Sequence, residues 1–342
     1  MSVNQIVQLF LEDPKRMFMG AGKLSQRYKC STDIIREARY KARLKLKQQN
    51  KTKLRNDKDK AIDTYLALGE PKTSFKVKFT ESWLNKKPVL KTKAGMHIIA
   101  GCQHVPFQNR KMQAGLIQLI KDLGSKVKGF HILGDMLDMN SLSAHEPNKV
   151  PLEGITLGYE YKEGNKYLDS FEAVLPQDVE KTFIWGNHED RWRRHVSDIN
   201  NSKYASALPS PTEALQLVER GYKVYDNWKE DFHLLGNHLQ LIHGEFCTKY
   251  PARSHMDRIK SSVMHVHTHR MDIAYDGEKA GFNIGWGGDV DAPAFNYVSR
   301  LTKMNWINGF ALVHIDENGN FFTQVIPVYH NKFWYDGKCY GL

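Results

Sequence analysis

The spacing of apolar and polar residues changes along the chain, and the changes divide it. Asn4–Leu11 carries apolar residues at Ile6, Val7, Phe10 and Leu11, the spacing of one face of a short helix, and Pro14 follows it. Lys23–Tyr28 predicts a second short helix with Leu24 and Tyr28 on one side. Cys30–Ser31 predicts a turn, with Ser31 or Thr32 available to cap the next helix. In that third helix Ile34, Ile35, Ala38, Ala42 and Leu46 form a stripe, and Arg36, Arg39, Tyr40 and Arg43 fall largely on the other faces. Lys47–Lys60 is charged with almost no apolar residue, which predicts a helix extension or a tether. Phe75, Val77 and Phe79 alternate with Thr73, Lys76 and Lys78, as a strand or wing would, and residues 80–94 read as a linker.

From about residue 95 the period shifts to alternating strand-like and helix-like segments. His97–Ala100 ends in GCQHVPF, Phe130–Leu133 in GDMLDM, and Thr182–Trp185 in GNHEDR. Leu239–Ile242 runs into His243-Gly244, and Val263–His265 into VHTHR. Each apolar run thus delivers Asp, Asn or His at its carboxyl end, where open α/β sheets place their ligand sites. Singly, each cluster has a plain alternative: a strand-ending turn, a hydrogen-bonded structural histidine, or surface histidines on a strand. Together they are hard-oxygen and imidazole donors suited to divalent metals.

Charge sharpens the division. Residues 1–93 hold 23 of the 49 Lys and Arg but only 9 of the 38 Asp and Glu, a net of +14 against −3 for the remainder. Such an excess favours a polyanion, because phosphate contacts release counterions; a solvated lysine-rich face is the bland alternative. Two short helices across a tight turn, the second basic on its outside, resemble a helix-turn-helix, whose second helix usually lies in the major groove. A small helical bundle with a polar surface would carry the same pattern. The expected nucleic-acid contacts are Arg36, Arg39, Tyr40 and Arg43. The 342 residues are ample for two domains, and the expected division is 1–70 helical and basic, 71–94 linker, and 95–342 catalytic.

Four scattered cysteines without a CxxC pair, no long apolar run and no secretory amino terminus point to a reducing, cytoplasmic setting without membrane partners. The oligomeric state is not legible.

GDMLD, GNHE, an isolated His-Gly and HTHR, in that order, resemble the calcineurin-like metallophosphoesterases, most closely those of bacteriophages and bacteria. The resemblance covers about residues 95–342, and Pro293–Ile315 is similar to the family's late strand region. It implies an α/β fold, a two-sheet sandwich flanked by helices, here preceded by the small all-α region. It also implies two divalent ions (Mn, Zn or Fe) that lower the pKa of a shared water and clamp phosphoryl oxygens. By motif position Asp135 should bridge the metals, with His104 and His269 completing one site and Asn187, His243 and His267 the other. His188 should stay off the metals and face the phosphate. Asp138 should orient His188 or a metal ligand, and Arg191 and Arg270 are the candidates for phosphate contact.

Two departures stand out. The family's first motif is Asp-x-His, but the aspartate is replaced by Cys102. A thiolate ligand favouring zinc or iron, a small buried residue beside a weakly held metal, and a crippled enzyme are the three readings. Val266 stands where the family generally has glycine. GDMLDMN lacks the arginine of the protein-phosphatase branch, which counts against phosphoprotein. The leading expectation is a metal-dependent DNA nuclease acting through a metal-activated hydroxide, with DNA positioned by the basic region. A phosphatase or phosphodiesterase of small esters or nucleotides is one alternative. A DNA-binding regulator with a degenerate catalytic domain is another.

Overall fold

The computed structural model describes residues 1–13, 16, 19, 21–42, 45, 92–143, 152–198 and 207–341. The chain divides into two compact units, Met1–Lys87 and Pro88–Leu342.

In the first unit the helical periodicity produces helices at Val3–Glu12, Ala21–Tyr28 and 32–42. Ile6, Val7, Phe10, Leu24, Tyr28, Ile35, Ala38 and Ala42 bury together as its core, and Ile34 is only half-buried. Ser31 is the cap, its hydroxyl accepting from Ile34 N–H at 3.3 Å. The sharp turn sits one residue earlier than the sequence suggests, at Lys29 (φ 46°), whose long side chain points into solvent. Arg36 and Tyr40 are exposed, whereas Arg39 donates to the Met19 carbonyl. Arg43, Leu46, the charged stretch 47–60 and the expected strand at 75–79 lie outside the described residues.

The second unit is built on two sheets. The first comprises β1 (Gly95–Ala100), β2 (Val127–Ile132), β3 (Glu180–Ile184) and β4 (Tyr222–Tyr225), all parallel. The second comprises β5 (His233–Leu235), β6 (Leu239–Leu241), β7 (Ser262–His265), β8 (Met271–Asp276) and β9 (Lys279–Ile284), in the order β5-β6-β7-β9-β8. Strands β10 (Asn308–Ile315) and β11 (Phe321–Val328) extend the first sheet antiparallel beyond β1. A separate hairpin, β12 (Lys332–Tyr335) and β13 (Lys338–Gly341), follows.

Both faces of the first sheet are covered, which is why its strands read as continuous apolar runs. Ile98, Phe130, Ile132 and Phe183 pack under helices Arg110–Leu123 and Leu157–Glu172, against Leu116, Leu119, Leu168 and Phe171. Ile99, Leu133, Ile184 and Val313 face the other way, meeting Leu239, Leu241, Met264 and Phe282 of the second sheet. Helix Pro251–Ile259 backs that second sheet closely: a Cβ at Gly281 would lie 2.4 Å from the Ala252 carbonyl oxygen. Among the described residues no helix is long and apolar enough to cross a membrane.

The layer between the sheets contains a polar row hidden inside the apolar runs. His97, His131 and His233 stack with ring centroids 5.2 Å apart, and all three are buried. Burial keeps both rings neutral, so with His97 Nε2 donating to the Lys93 carbonyl at 2.7 Å, its Nδ1 accepts from His131 Nε2 at 3.0 Å. Burial pushes His97 and His233 down to about 4 and His131 well below the ordinary value. The unfolded chain takes up these protons near pH 6.5, so the row's contribution is whole above that pH and is lost as pH falls towards 4. Glu160 and Glu189, pushed up to about 7 by burial, act in the opposite sense between pH 7 and 4.5. The measurable quantity is thus a difference between proteins. Relative to wild type, H233F should gain roughly 3 kcal/mol in urea unfolding as pH drops from 6.5 to 4; parallel pH dependences would refute this.

Candidate metal centre

Five loops at the carboxyl ends of β1, β2, β3, β6 and β7 bring the candidate donors into one pocket. Their backbones are unusual: Cys102, His104, Asp135, His267 and His269 all have left-handed φ, between 48° and 66°. Side chains with a Cβ rarely adopt this region, and such strain gathers where a site over-determines it. The β1 and β2 loops are tied by Cys102 N–H to Gly134 O at 2.8 Å and His104 N–H to Asp135 O at 2.9 Å. The β2 and β3 loops approach backbone to backbone, since a Cβ on Gly134 would lie 2.5 Å from Gly186 N and one on Gly186 2.5 Å from Asp135 N. This is what the glycines of GDMLD and GNHE permit.

The donor atoms fall into overlapping groups. Cys102, His104 and His269 form one, Cys102, Asp135 and His243 a second, and His104, Asp135 and His188 a third, each with its atoms within 4.8 Å of one another. His104 Nε2 faces His269 Nε2 at 3.0 Å. His243 Nε2 faces His267 Nδ1 at 3.1 Å, Asn187 Oδ1 at 3.0 Å and Asp135 Oδ2 at 3.4 Å.

The outer hydrogen bonds fix which nitrogens point inward. His104 Nδ1 lies 2.9 Å from Asp138 Oδ1, and His243 Nδ1 lies 2.7 Å from the Leu133 carbonyl oxygen. Both partners can only accept, so both Nδ1 atoms carry the hydrogen and both Nε2 atoms point into the centre. At His243 that Nε2 meets the Asp135 carboxylate, the Asn187 side-chain oxygen and His267 Nδ1 together. A cation satisfies this arrangement, so the residues present fit a divalent metal.

The electrostatics agree. Burial, with His188 nearby, lowers His104; burial, with His243 nearby, lowers His267 to about 3; burial also holds His269 far down, leaving all three rings neutral as ligands must be. Burial alone would lower His243, but Asp135 outweighs it and raises this imidazole. Burial would likewise raise Asp135, yet His243 and His188 hold its carboxyl well below the usual range. Cys102 sits among the donors with its sulfur accepting from His267 N–H at 3.2 Å. Its thiol is pushed far up by burial and by Asp135, so only a metal would make it a thiolate.

His188 and the arginines are placed at the edge of this centre. His188 N–H donates to Asp135 Oδ1 at 2.8 Å and its Nδ1 to the Asp138 carbonyl at 2.6 Å. Its Nε2 is 3.9 Å from Asp135 Oδ2 and 3.2 Å from an Arg191 nitrogen. Asp138 thus orients both His104, through its carboxylate, and His188, through its carbonyl. Arg191 also donates to the Asp138 carbonyl at 2.8 Å, and Arg270 to the Thr248 carbonyl at 2.7 Å. Both arginines line an open cavity of about 730 Å³ over the donors.

Two features are absent from the sequence reading. Glu189, fully buried, accepts from Asp135 N–H at 2.9 Å, Leu137 N–H at 2.9 Å and Gly186 N–H at 2.8 Å, clasping two of the site's loops. Its position after Asn187-His188 is the only signal the sequence carries. The second is the stretch 293–306, which the resemblance assigns to a strand region. Only Asn308–Ile315 is strand; before it lie a turn of 3₁₀-helix at Pro293–Phe295 and a short helix at Arg300–Lys303, and Leu301 and Thr302 of that helix line the cavity. Pro293 and the Ser299 cap divert this stretch from extended pairing.

No family model matches the sequence, and no curated protein matches it. Among solved structures, the chain is similar to Vacuolar Protein Sorting 29 from Cryptosporidium parvum, at 13% identity over 72% of this chain and 94% of that one, with a TM-score of 0.38. It is also similar to Vps29 complexed with Zn+2 from Entamoeba histolytica, at 12% identity over 71% and 95%, with a TM-score of 0.36. A third is Vps29 from Chaetomium thermophilum, at 10% identity over 68% and 96%, with a TM-score of 0.33.

Proposed function

We propose that the chain is a calcineurin-like metallophosphoesterase that hydrolyses phosphodiesters of nucleic acid, most simply DNA, with its basic amino-terminal region binding the substrate. The observation that carries this reading is the convergence of His243 Nε2, the Asp135 carboxylate, Asn187 Oδ1 and His267 Nδ1, next to the facing His104 and His269 and beside a cavity lined by two arginines.

In this reading Asp135 would hold divalent metal together with His104, His269 and Cys102 on one side and with Asn187, His243 and His267 on the other. Bound there, divalent ions would supply Lewis acidity towards a phosphoryl oxygen and a lowered pKa for water. The protein's own part is to hold the scissile phosphate between this centre and the guanidinium groups of Arg191 and Arg270. His188 Nε2 faces the cavity with Nδ1 locked on a carbonyl; once Arg191 turns from it to the phosphate, Nε2 can carry a proton to the leaving oxygen. Arg36, Tyr40 and Arg43 contact the DNA backbone, while Arg39 is in part a structural donor.

Metal analysis of the purified protein and a DNA-cleavage assay with manganese, zinc and iron each supplied test this. Bound divalent ion, cleavage that falls steeply with added salt, and a roughly 10²- to 10⁴-fold loss in H188A are expected. DNA left intact under all three metals would remove the nuclease assignment. A metal content at trace level would remove the metalloenzyme assignment with it. Reversing charge at Arg36 should depress DNA cleavage and leave a small diester untouched; DNA cleavage as little affected as the small diester would speak for the small-ester reading.

A further inference from the structure

We infer that the wall formed by residues 297–306 is a nucleobase ledge, which makes single-stranded or splayed nucleic acid the substrate of the centre beneath it. The inference rests on the phosphoesterase reading for its chemistry, but not for its binding test. Tyr297, Leu301, Thr302, Asn305 and Trp306 line the same cavity as Asp135, His188, Arg191 and Arg270. Tyr297 is 58% exposed and Leu301 76%, and Met304 beside them is 68% exposed. Large apolar side chains are seldom gathered in the open within so few residues unless something covers them.

The ledge is fixed relative to the donors. At one end Phe295 is buried edge-on against His104, ring centroids 5.4 Å apart. At the other, Trp306 stands edge-on to His269 at 4.5 Å and to Trp286 at 4.8 Å. The short helix between is capped by Ser299, whose hydroxyl accepts from Thr302 N–H at 3.3 Å, and Lys303 ties back to the Val290 carbonyl at 3.2 Å. A rigid aromatic and aliphatic surface therefore lies at a set distance from the place where a phosphate would sit.

Charge identifies the occupant. Residues 293–306 include Arg300 and Lys303 and no Asp or Glu, and Arg191 and Arg270 stand on the same cavity. An apolar group that follows a phosphate into a basic, aromatic-walled cavity has the composition of a nucleotide, and base stacking on such walls is sequence-tolerant. In a duplex the base faces are already stacked, so the ledge favours an unpaired strand.

The test is binding of labelled oligothymidylate and of an abasic tetrahydrofuran strand of equal length, by fluorescence anisotropy in the presence of a chelator. Wild type should favour the base-bearing strand by about 10-fold. The Y297A/L301S double variant should lose that preference while its affinity for the abasic strand and for duplex is unchanged. Equal binding of both strands by wild type, or a preference intact in the variant, would overturn the ledge. Cleavage without base preference leaves the enzyme and removes the ledge. Base preference without cleavage of any diester supports the ledge and removes the enzyme.

Discussion

Asp135→Asn should strip the protein of metal and reduce phosphodiester hydrolysis by roughly 10³-fold or more. The substitution keeps the shape of the side chain, and its oxygen can still accept from His188 N–H, the 2.8 Å bond that sets the β3 loop. What it removes is the charge at Oδ2, which lies 3.4 Å from His243 Nε2. That oxygen is the anionic member of the donor set, and a neutral amide in its place would turn its own N–H groups towards the imidazoles. Burial disfavours ionisation of Asp135, yet the histidines hold it ionised far below neutral pH, so its charge is present throughout the range in which such an enzyme would be assayed. Loss of activity in D135N with circular dichroism unchanged, and metal content near zero, is the expected combination. A variant that retains both metal and turnover would show that Asp135 is a structural residue and that the donor cluster has another use.

The sequence makes the donor set legible because each member sits within a few residues of an apolar strand end, and strand ends can be read locally. His104, Asp135, Asn187, His243, His267 and His269 are recognisable for that reason, and the structure brings all six together with Cys102. Partnerships are a different matter. The resemblance implies that Asp138 orients His188 or a metal ligand. That the ligand is His104, 34 residues away, and that Glu189 accepts from amides of a loop more than 50 residues earlier, depends on strand order, which no local pattern encodes. The stretch 293–306 misleads for a related reason. The resemblance takes it together with the strand that follows as one strand region, while Pro293 and the Ser299 cap decide locally against extension. The histidines of HIIA and FHIL fit an apolar-strand reading because their neighbours are apolar. Only the second sheet, bringing His233 over them, shows that three imidazoles share the core.

Glu189→Ala should cost the catalytic unit roughly 4 kcal/mol, a large part of the ~5–15 kcal/mol that holds a typical domain folded. The carboxylate is fully buried and satisfies three backbone amides, those of Asp135, Leu137 and Gly186. Alanine leaves all three without a partner and opens a void, and each orphaned donor costs about 1–3 kcal/mol. E189Q separates the two effects. Its oxygen can replace Oε2, which serves Asp135 and Gly186, but its amide then turns an N–H towards the Leu137 N–H, so a loss of about 1–3 kcal/mol remains. The loops Glu189 clasps carry Asp135 and Asn187, so activity per folded molecule should fall in both variants, more in alanine than in glutamine. Urea unfolding followed by tryptophan fluorescence, set beside turnover at a temperature where both variants are folded, measures the two consequences separately. Stability within about 0.5 kcal/mol of wild type in E189A, the range of an ordinary surface change, would mean that the three amides find other partners and that the loops of β2 and β3 hold each other without this clasp.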